Sequence, residues 1–342
     1  MKQDILSMDL PELTEAVKAL GQPAYRAGQI YQWLHVACAT DFDEMTNIPK
    51  ALRQQLHDNF VIFGCAIEKK LVSRYDETIK YLFKLNDGEL IETVLMKYKY
   101  GYSVCVSSQV GCRMGCKFCA STLAGVVRNL SASEILSQVY AVQRDNSIRV
   151  SHIVMMGMGE PFDNFDNALR FLRLITDEKG QNLSMRHISL STCGIVPGIN
   201  RLAEQNLQLT LSVSLHAPNN ELRSSMMPVN RKWPVEELIQ ACKDYTKVTS
   251  RRISFEYALV NGVNDTPECA AQLAALLKGM LCHINLIPVN EVAETGMKKS
   301  TNDRVKRFEA YLADRGFAVT VRRTLGSDIN AACGQLRRSS MK

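Results

Sequence analysis

The sequence predicts an α/β protein: a partial barrel of six βα units, preceded by a helical plus β accessory module and followed by a C-terminal strand and tail. Three observations predict it. Six apolar, β-branched runs, YSVCVSS, SHIVMMG, RHISLST, LTLSVSLHA, RRISFEYALV and HINLIPVN, recur along residues 102–290, in the manner of strands. Amphipathic helical stretches fill most of the gaps between them. Polar and reactive residues stand at the C-terminal strand ends, the face on which parallel barrels build their sites. A flat doubly wound sheet would gather ligands at the same ends, so the third observation argues for a site more than for closure.

The elements follow in chain order. Residues 1–60 hold LPELTEAVKAL, AYRAGQIYQWLHVACA and PKALRQQLHDNF, with apolar positions three and four apart, and read as short helices. This module, with TNIPKALR, is a candidate contact for a partner. Residues 61–98 change to a β pattern, AIEKKLVSRY, TIKYLFKL and LIETVLMKY, broken by the turn-like YDE and NDGE. The barrel is expected over 99–317. Its first helix, SASEILSQVYAVQR, starts with Ser131 and Glu134 at capping-box spacing. FAVTVRRT opens the last segment, 318–342, which carries Cys333.

Composition narrows the class. In 342 residues, 46% apolar and 22% charged usage is that of a globular chain and excludes long disorder. The net charge of +6 permits a polyanionic partner but is equally common on solvated surfaces. The N-terminal MKQDILSMDLPELTEAV has no apolar signal core, and no stretch approaches the roughly 20 apolar residues of a membrane span. A cytoplasmic protein with no membrane partner is expected. There, 11 cysteines point to metal binding or catalysis before disulfide staples.

Three of those cysteines, Cys112, Cys116 and Cys119, fall within eight residues, and Cys105 lies seven before the first. Structural zinc needs four ligands, usually as two separate pairs, and no second pair follows at that distance. Three thiolates suit a cubane iron–sulfur cluster with one iron left open for a substrate, although such clusters usually carry four cysteines. MKYKYGY interleaves Lys97 and Lys99 with Tyr98, Tyr100 and Tyr102, a pattern that fits phosphates and stacked bases and equally an exposed strand end. Arg322, Arg323, Arg337 and Arg338 flank Cys333 and are expected to face RNA.

Cys-x-x-x-Cys-x-x-Cys, with Phe118 before the last cysteine and a strand before the loop, resembles the radical S-adenosylmethionine (SAM) superfamily. GMGEP, carrying Gly159 and Glu160, resembles its loop for the SAM amine. ETVLM, CVSSQVGC, GMGEP, LSTCG, SLHAP, LIPVN and DINAACGQL occur in this order and together resemble the RNA adenine methyltransferases of the RlmN and Cfr group, from about residue 5 to 340.

The resemblance implies a [4Fe–4S] cluster on Cys112, Cys116 and Cys119, with SAM on the open iron. It implies that Ser191, Ser214, Leu215, His216 and Asn290 line SAM. Cys333 would take a methyl group from one SAM and lose a hydrogen to a radical made from a second. The Cys333 methylene would then add to an adenine carbon too electron-poor for ordinary methyl transfer. Glu92 would remove the ring proton, and Cys105 would attack the Cys333 sulfur, releasing product and leaving a disulfide. The implied partners are 23S rRNA, tRNA next to the anticodon, and an electron donor such as flavodoxin with its reductase or ferredoxin. A monomer is expected. QVGCRMGCKFCAST resembles the RlmN branch, which favours C2 over the C8 of the Cfr branch. The rival from another class is a non-enzymatic RNA-binding protein with a structural zinc.

Overall fold

The structure, a computed structural model, describes residues 2–290 and 296–335. It opens with β1 (Gln3–Asp4), then α1 (Leu10–Ala19), α2 (Tyr25–His35), α3 (Lys50–Asn59) and β2 (Phe60–Val61), which pairs in parallel with β1. Helix α1 begins at a capping box, Asp9 with Glu12, which satisfies two otherwise orphaned backbone donors. Leu13 and Val17 of α1, Ile30 and Leu34 of α2, and Leu52 and Leu56 of α3 are buried. This helical spacing gives each helix one apolar stripe for the module's core.

β3 (Cys65–Val72), β4 (Ile79–Leu85) and β5 (Leu90–Tyr98) form an antiparallel meander, and β6 (Gly101–Cys105) pairs antiparallel with β5. A small hairpin, β7 (Gln109–Gly111) with β8 (Val126–Asn129), follows. The parallel set then runs through β9 (Val150–Met155), β10 (Ile188–Thr192), β11 (Thr210–Ser214), β12 (Ile253–Leu259), β13 (Cys282–Pro288) and β14 (Ala318–Val321). The ten-stranded order is β14-β13-β12-β11-β10-β9-β6-β5-β4-β3. The accessory meander and the barrel are therefore one sheet, and FAVTVRRT supplies a seventh parallel strand.

The intervening helices are α4 (Ala132–Asn146), α5 (Phe165–Thr176), α6 (Val196–Glu204), the pair α7 (Asn220–Met226) and α8 (Val235–Thr249), α9 (Pro267–Leu276) and α10 (Asn302–Ala313). Ser131 and Glu134 form the expected capping box on α4. Residues such as Ile135, Phe171, Ile199, Leu238, Leu273 and Phe308 fill the core. Ser189 and Ser191 on β10 and Ser212 and Ser214 on β11 stand at alternate positions, and Ser189 and Ser212 meet across the strands at 2.8 Å. Glu256 on β12 accepts from Ser254 at 2.9 Å and from Asn285 at 2.7 Å. One face of the parallel sheet is thus apolar beneath the helices and the other is polar, the period-2 division of a strand. Among the described residues no helix is long and apolar enough to cross a membrane.

Candidate active site

A cavity of about 150 Å³ opens at the C-terminal ends of the parallel strands, bordered by Cys112, Cys116 and Cys119 together with Gly159, Glu160, Ser191, Ser214, His216, Asn290 and Cys333. One water needs only about 10–15 Å³ on that measure. The hairpin β7–β8 ties off the cysteine loop at its base. Gly111 sits there at φ 78°, and a Cβ would come within 1.9 Å of the Gly125 carbonyl oxygen. Farther along, Lys117 N–H donates to the Met226 carbonyl at 2.9 Å and Thr122 Oγ1 to the Cys119 carbonyl at 3.0 Å. These bonds turn all three thiols to the cavity.

Ligands of a single tetrahedral zinc lie about 2.3 Å from it, so their sulfurs stand within roughly 4 Å of one another. Among the described residues, the group of three potential ligands whose donor atoms all come within 4.8 Å is Asp41, Asp43 and His57, on the surface of the helical module. The three loop thiols do not all come that close to one another, and a cubane with one sulfur per iron does not ask them to. They also raise one another's proton affinity: burial first, then neighbouring thiols and Glu160, push Cys112 up to about 12 and raise Cys116 well above its ordinary value. Binding to a cationic cluster relieves that cost. The donor set fits a [4Fe–4S] cluster.

The wall opposite is GMGEP, between β9 and α5. Gly159, at φ 101°, leaves no room for a Cβ, which would lie 2.7 Å from the Gln109 backbone nitrogen. Ser108 N–H and Gln109 N–H both donate to the Met158 carbonyl, at 2.8 and 3.2 Å. The buried Glu160 carboxylate accepts the Phe162 N–H at 3.0 Å and the Cys193 N–H at 2.7 Å. Burial still raises its pKa, and a cation in the cavity would offset that penalty.

His216 has φ 57°, and its Nδ1 accepts the Ala258 N–H at 2.9 Å. Burial pushes its pKa down to about 3, so the imidazole is neutral and carries its proton on Nε2. Its ring meets Phe118 edge-on at 4.7 Å. Leu215 is fully buried and does not border the cavity; its N–H donates to Glu256 and its carbonyl accepts from Arg223.

Two residues here were not singled out by the sequence. Arg223 is wholly buried and donates to the carbonyls of Leu215, Cys193 and Ser214, at 3.1, 2.6 and 3.2 Å, and to Asn230 Oδ1 at 3.0 Å. It pins the ends of β10 and β11, yet an arginine in NELRSSM reads as a solvated helix face. Cys193 borders the cavity near Cys116 and Cys112; LSTCG held it, but a lone cysteine after a strand reads as a small hydrophobe.

A second, smaller cavity adjoins the first and is bordered by Val94, Met96, Tyr98, Cys105, Arg322, Arg323, Ala332 and Cys333. Cys333, Asn290 and Arg322 border both. Asn290 Nδ2 donates to the Cys333 carbonyl at 3.0 Å, and Ala120 N–H to the Gly334 carbonyl at 2.7 Å. Burial, then the neighbouring Cys333, push the Cys105 thiol up to about 12, while Arg322 pulls it back. The charges of Cys333, Glu256 and Cys105 raise the Arg322 pKa beyond its ordinary value against burial.

Several expectations change. Arg322 was expected on an RNA face; it is half-buried beside the two lone thiols, because the lumen-facing register of β14 continues into it. Arg323 is exposed, while Arg337 and Arg338 lie outside the described residues. Tyr98 borders the second cavity and stacks on Tyr100 at 4.9 Å. Lys97 pairs with Glu77 at 3.0 Å. Glu92 borders neither cavity; it is buried on β5 and paired with Lys80 at 3.1 Å. Every cysteine is a free thiol, so no disulfide joins Cys105 to Cys333 here.

The sequence profile of the Radical SAM superfamily matches residues 106–276, and that of the ribosomal RNA large subunit methyltransferase N-terminal domain matches residues 3–62. The probable dual-specificity RNA methyltransferase RlmN of Clostridium novyi is 52% identical over 99% of both chains. The chain belongs to the RlmN family of radical SAM RNA methyltransferases. The Desulforamulus reducens protein of the same description is 53% identical over 98% of this chain and 96% of its own. A radical SAM methyltransferase from Sphaerobacter thermophilus superposes with a TM-score of 0.95 at 46% identity, covering 98% of this chain and all of that one. SuiB of Streptococcus suis, solved bound to SAM, shares the fold alone, with a TM-score of 0.51 at 16% identity over 65% of this chain and 50% of its own. As a member of the RlmN family this is an enzyme that uses a [4Fe–4S] cluster and SAM. The non-enzymatic zinc reading gives way to that membership.

Proposed function

We propose that the enzyme methylates C2 of an adenosine in 23S rRNA, and of the adenosine next to the anticodon in tRNA, through a methylated Cys333 and a covalent RNA intermediate resolved by Cys105. The observation that carries this is the position of Cys333 on the wall shared by two cavities, one with the three-thiol loop and one with Cys105. A carbon on its sulfur can meet SAM on one side and a base on the other.

A [4Fe–4S] cluster on the three loop thiols, with SAM in the cavity, would supply the one-electron chemistry that makes a 5′-deoxyadenosyl radical, and SAM would also be the methyl source. Cys112, Cys116 and Cys119 hold the cluster. Glu160, Ser191, Ser214, His216 and Asn290 border the space for SAM; the neutral His216 donates from Nε2, and Leu215 supports that wall from behind. Arg322 opposes the effect of burial on the Cys105 thiol and so favours its thiolate. Cys333 carries the one-carbon unit to the ring, and Glu92 takes the ring proton. The Cys105 thiolate then bonds to the Cys333 sulfur, the sulfur–carbon bond to the RNA breaks, and the released carbon takes up a proton to complete the methyl group; the one electron left over by the radical addition would return to the cluster that supplied it, and a Cys105–Cys333 disulfide remains. Glu92 shares its strand face with Val94 and Met96 of the second cavity wall, which supports the assignment of that cavity to the base.

The target adenine must leave its stack to enter. The helical module, exposed Arg323 and the Tyr98–Tyr100 stack are the proposed RNA contacts. The enzyme acts as a cytoplasmic monomer reduced by flavodoxin with its reductase or by ferredoxin. Anaerobic turnover with SAM and RNA, followed by nucleoside mass spectrometry, tests the reading. 2-Methyladenosine is expected; 8-methyladenosine alone would move the chain to the Cfr-like alternative.

A further inference from the structure

We infer that Lys80 is a positioning residue: with the β3–β4 turn it clamps the segment carrying Cys333, and it ties that segment to the carboxylate of Glu92. The inference rests on the proposed roles of Cys333 and Glu92.

On the antiparallel pair β4–β5, Lys80 is opposite Val94 and Leu82 is opposite Glu92. Lys80 and Glu92 are therefore diagonal neighbours on one face, within reach of a long side chain. That face also carries Val94 and Met96, which border the second cavity. The ammonium is 3.1 Å from Glu92 Oε1, with the two side chains 8% and 1% exposed, and it donates to the Asn330 carbonyl at 3.3 Å. A buried ion pair is a weak source of stability, since well-packed apolar residues serve as well or better. What this pair supplies is geometry: one cation holds the candidate base and a carbonyl three residues before Cys333.

The turn joining β3 and β4 holds the same segment from outside. Asp328 accepts the Ser73 hydroxyl at 2.7 Å and the Arg74 N–H at 2.9 Å, and Asp76 accepts the Gly326 N–H at 2.9 Å. Gly326 and Asn330 both have φ in the left-handed region, 62° and 51°, and Ala331 N–H closes the intervening loop onto the Gly326 carbonyl at 2.9 Å. Asn330 turns the chain toward the cavity. Three residues span at most about 10 Å, so fixing the Asn330 carbonyl confines Cys333 to a small volume. Across the cavity, Asn290 holds the carbonyl of Cys333 itself. The methyl carrier is suspended between the accessory meander and the barrel.

The test uses the full-length, cluster-loaded protein carrying Lys80→Met, which keeps the stem and removes the ammonium. Amide hydrogen exchange over 326–333 is expected to quicken at least tenfold while the parallel strands exchange as in the wild type. RNA methylation is expected to lose at least tenfold in kcat, with KM for RNA changed less than twofold. Wild-type exchange over 326–333 overturns the clamp whatever the activity. If Lys80→Met does not fold, Lys80→Met with Glu92→Leu removes both charges; it must show the same faster exchange, and wild-type exchange there overturns the clamp equally. Faster exchange with Cys333 unmethylated during turnover would keep the clamp and remove the methyl-carrier assignment, whereas wild-type exchange with methylated Cys333 would do the reverse.

Discussion

Asn290, two residues beyond the end of β13, donates through Nδ2 to the backbone carbonyl of Cys333 at 3.0 Å. A strand-end side chain of the barrel thus holds the tail by its main chain and leaves the Cys333 sulfur unengaged by that bond. Such a bond contributes about 1 kcal/mol, equivalent to roughly fivefold in rate if it acts only in the reacting geometry. Asn290→Ala is expected to slow 2-methyladenosine formation by about that factor without loss of iron. Initial rates by nucleoside mass spectrometry, with iron analysis, check it; an unchanged rate would mean that the contact does not position Cys333.

The three loop thiols should each be indispensable to the cluster. Cys116→Ala is expected to abolish the iron–sulfur absorbance, the sulfide content and all RNA methylation after anaerobic reconstitution, because a buried pair of thiolates cannot hold a cubane that presents an open iron. A full complement of four irons in that variant would sink the assignment and direct attention to Cys193, which borders the same cavity.

Cys105→Ala separates packing from chemistry. A buried thiol that only packs would cost about 1 kcal/mol on truncation and leave turnover intact. A resolving thiol, once removed, should trap RNA on Cys333, giving a slower, nuclease-sensitive band on a denaturing gel. With the Cys105 pKa near 12, the thiolate is scarce at neutral pH, so product release in the wild type should quicken as pH rises from 7 to 9. A pH-independent release rate would exclude Cys105 as the attacking group.

Arg223 should matter to stability as well as to SAM. Replacing it with Met removes the guanidinium from the carbonyls of Cys193 and Ser214, while Leu215 keeps the Ala217 N–H; a buried carbonyl left without a partner costs about 1–3 kcal/mol. Thermal unfolding of Arg223→Met is expected at least about 4 °C below the wild type, at about 2–4 °C per kcal/mol for large domains. A shift under 3 °C would show that water replaces the guanidinium.

How much of this was legible follows from where the information lies. The cysteine spacing, GMGEP and the serines of β10 and β11 are local patterns, and local patterns survive in one dimension. Arg223, Lys80 and Arg322 are not legible, since a cation in a sequence says nothing about which distant carbonyl or thiol it will meet. Glu92 is half legible: ETVLM marks the residue, but its burial against Lys80 depends on the diagonal register of β4 on β5. The tail showed its cysteine but not its anchors, because Asp328 and Gly326 find Ser73, Arg74 and Asp76 some 250 residues away.

The helical module should show an acid sensitivity of its own. His35 is wholly buried on α2, tilted against the Tyr31 ring at 4.2 Å, with Nδ1 3.0 Å from the Tyr140 hydroxyl on α4. Burial pushes its pKa down to about 3 from an ordinary 6.5. The unfolded chain therefore binds the proton first. The stability contributed by neutral His35 is complete above pH 6.5 and is lost as pH falls toward 3, at about 1.4 kcal/mol per pH unit. His35→Gln keeps a hydrogen-bonding group for Tyr140 and removes the titration. Between pH 7 and 5 the variant is expected to lose about 2 kcal/mol less stability than the wild type, measured by urea denaturation of the full-length protein at both values. His216, also near 3, titrates identically in both proteins and cancels from the difference. Equal losses would mean that water reaches the His35 ring and that the packing of α2 on α4 is looser than the structure has it.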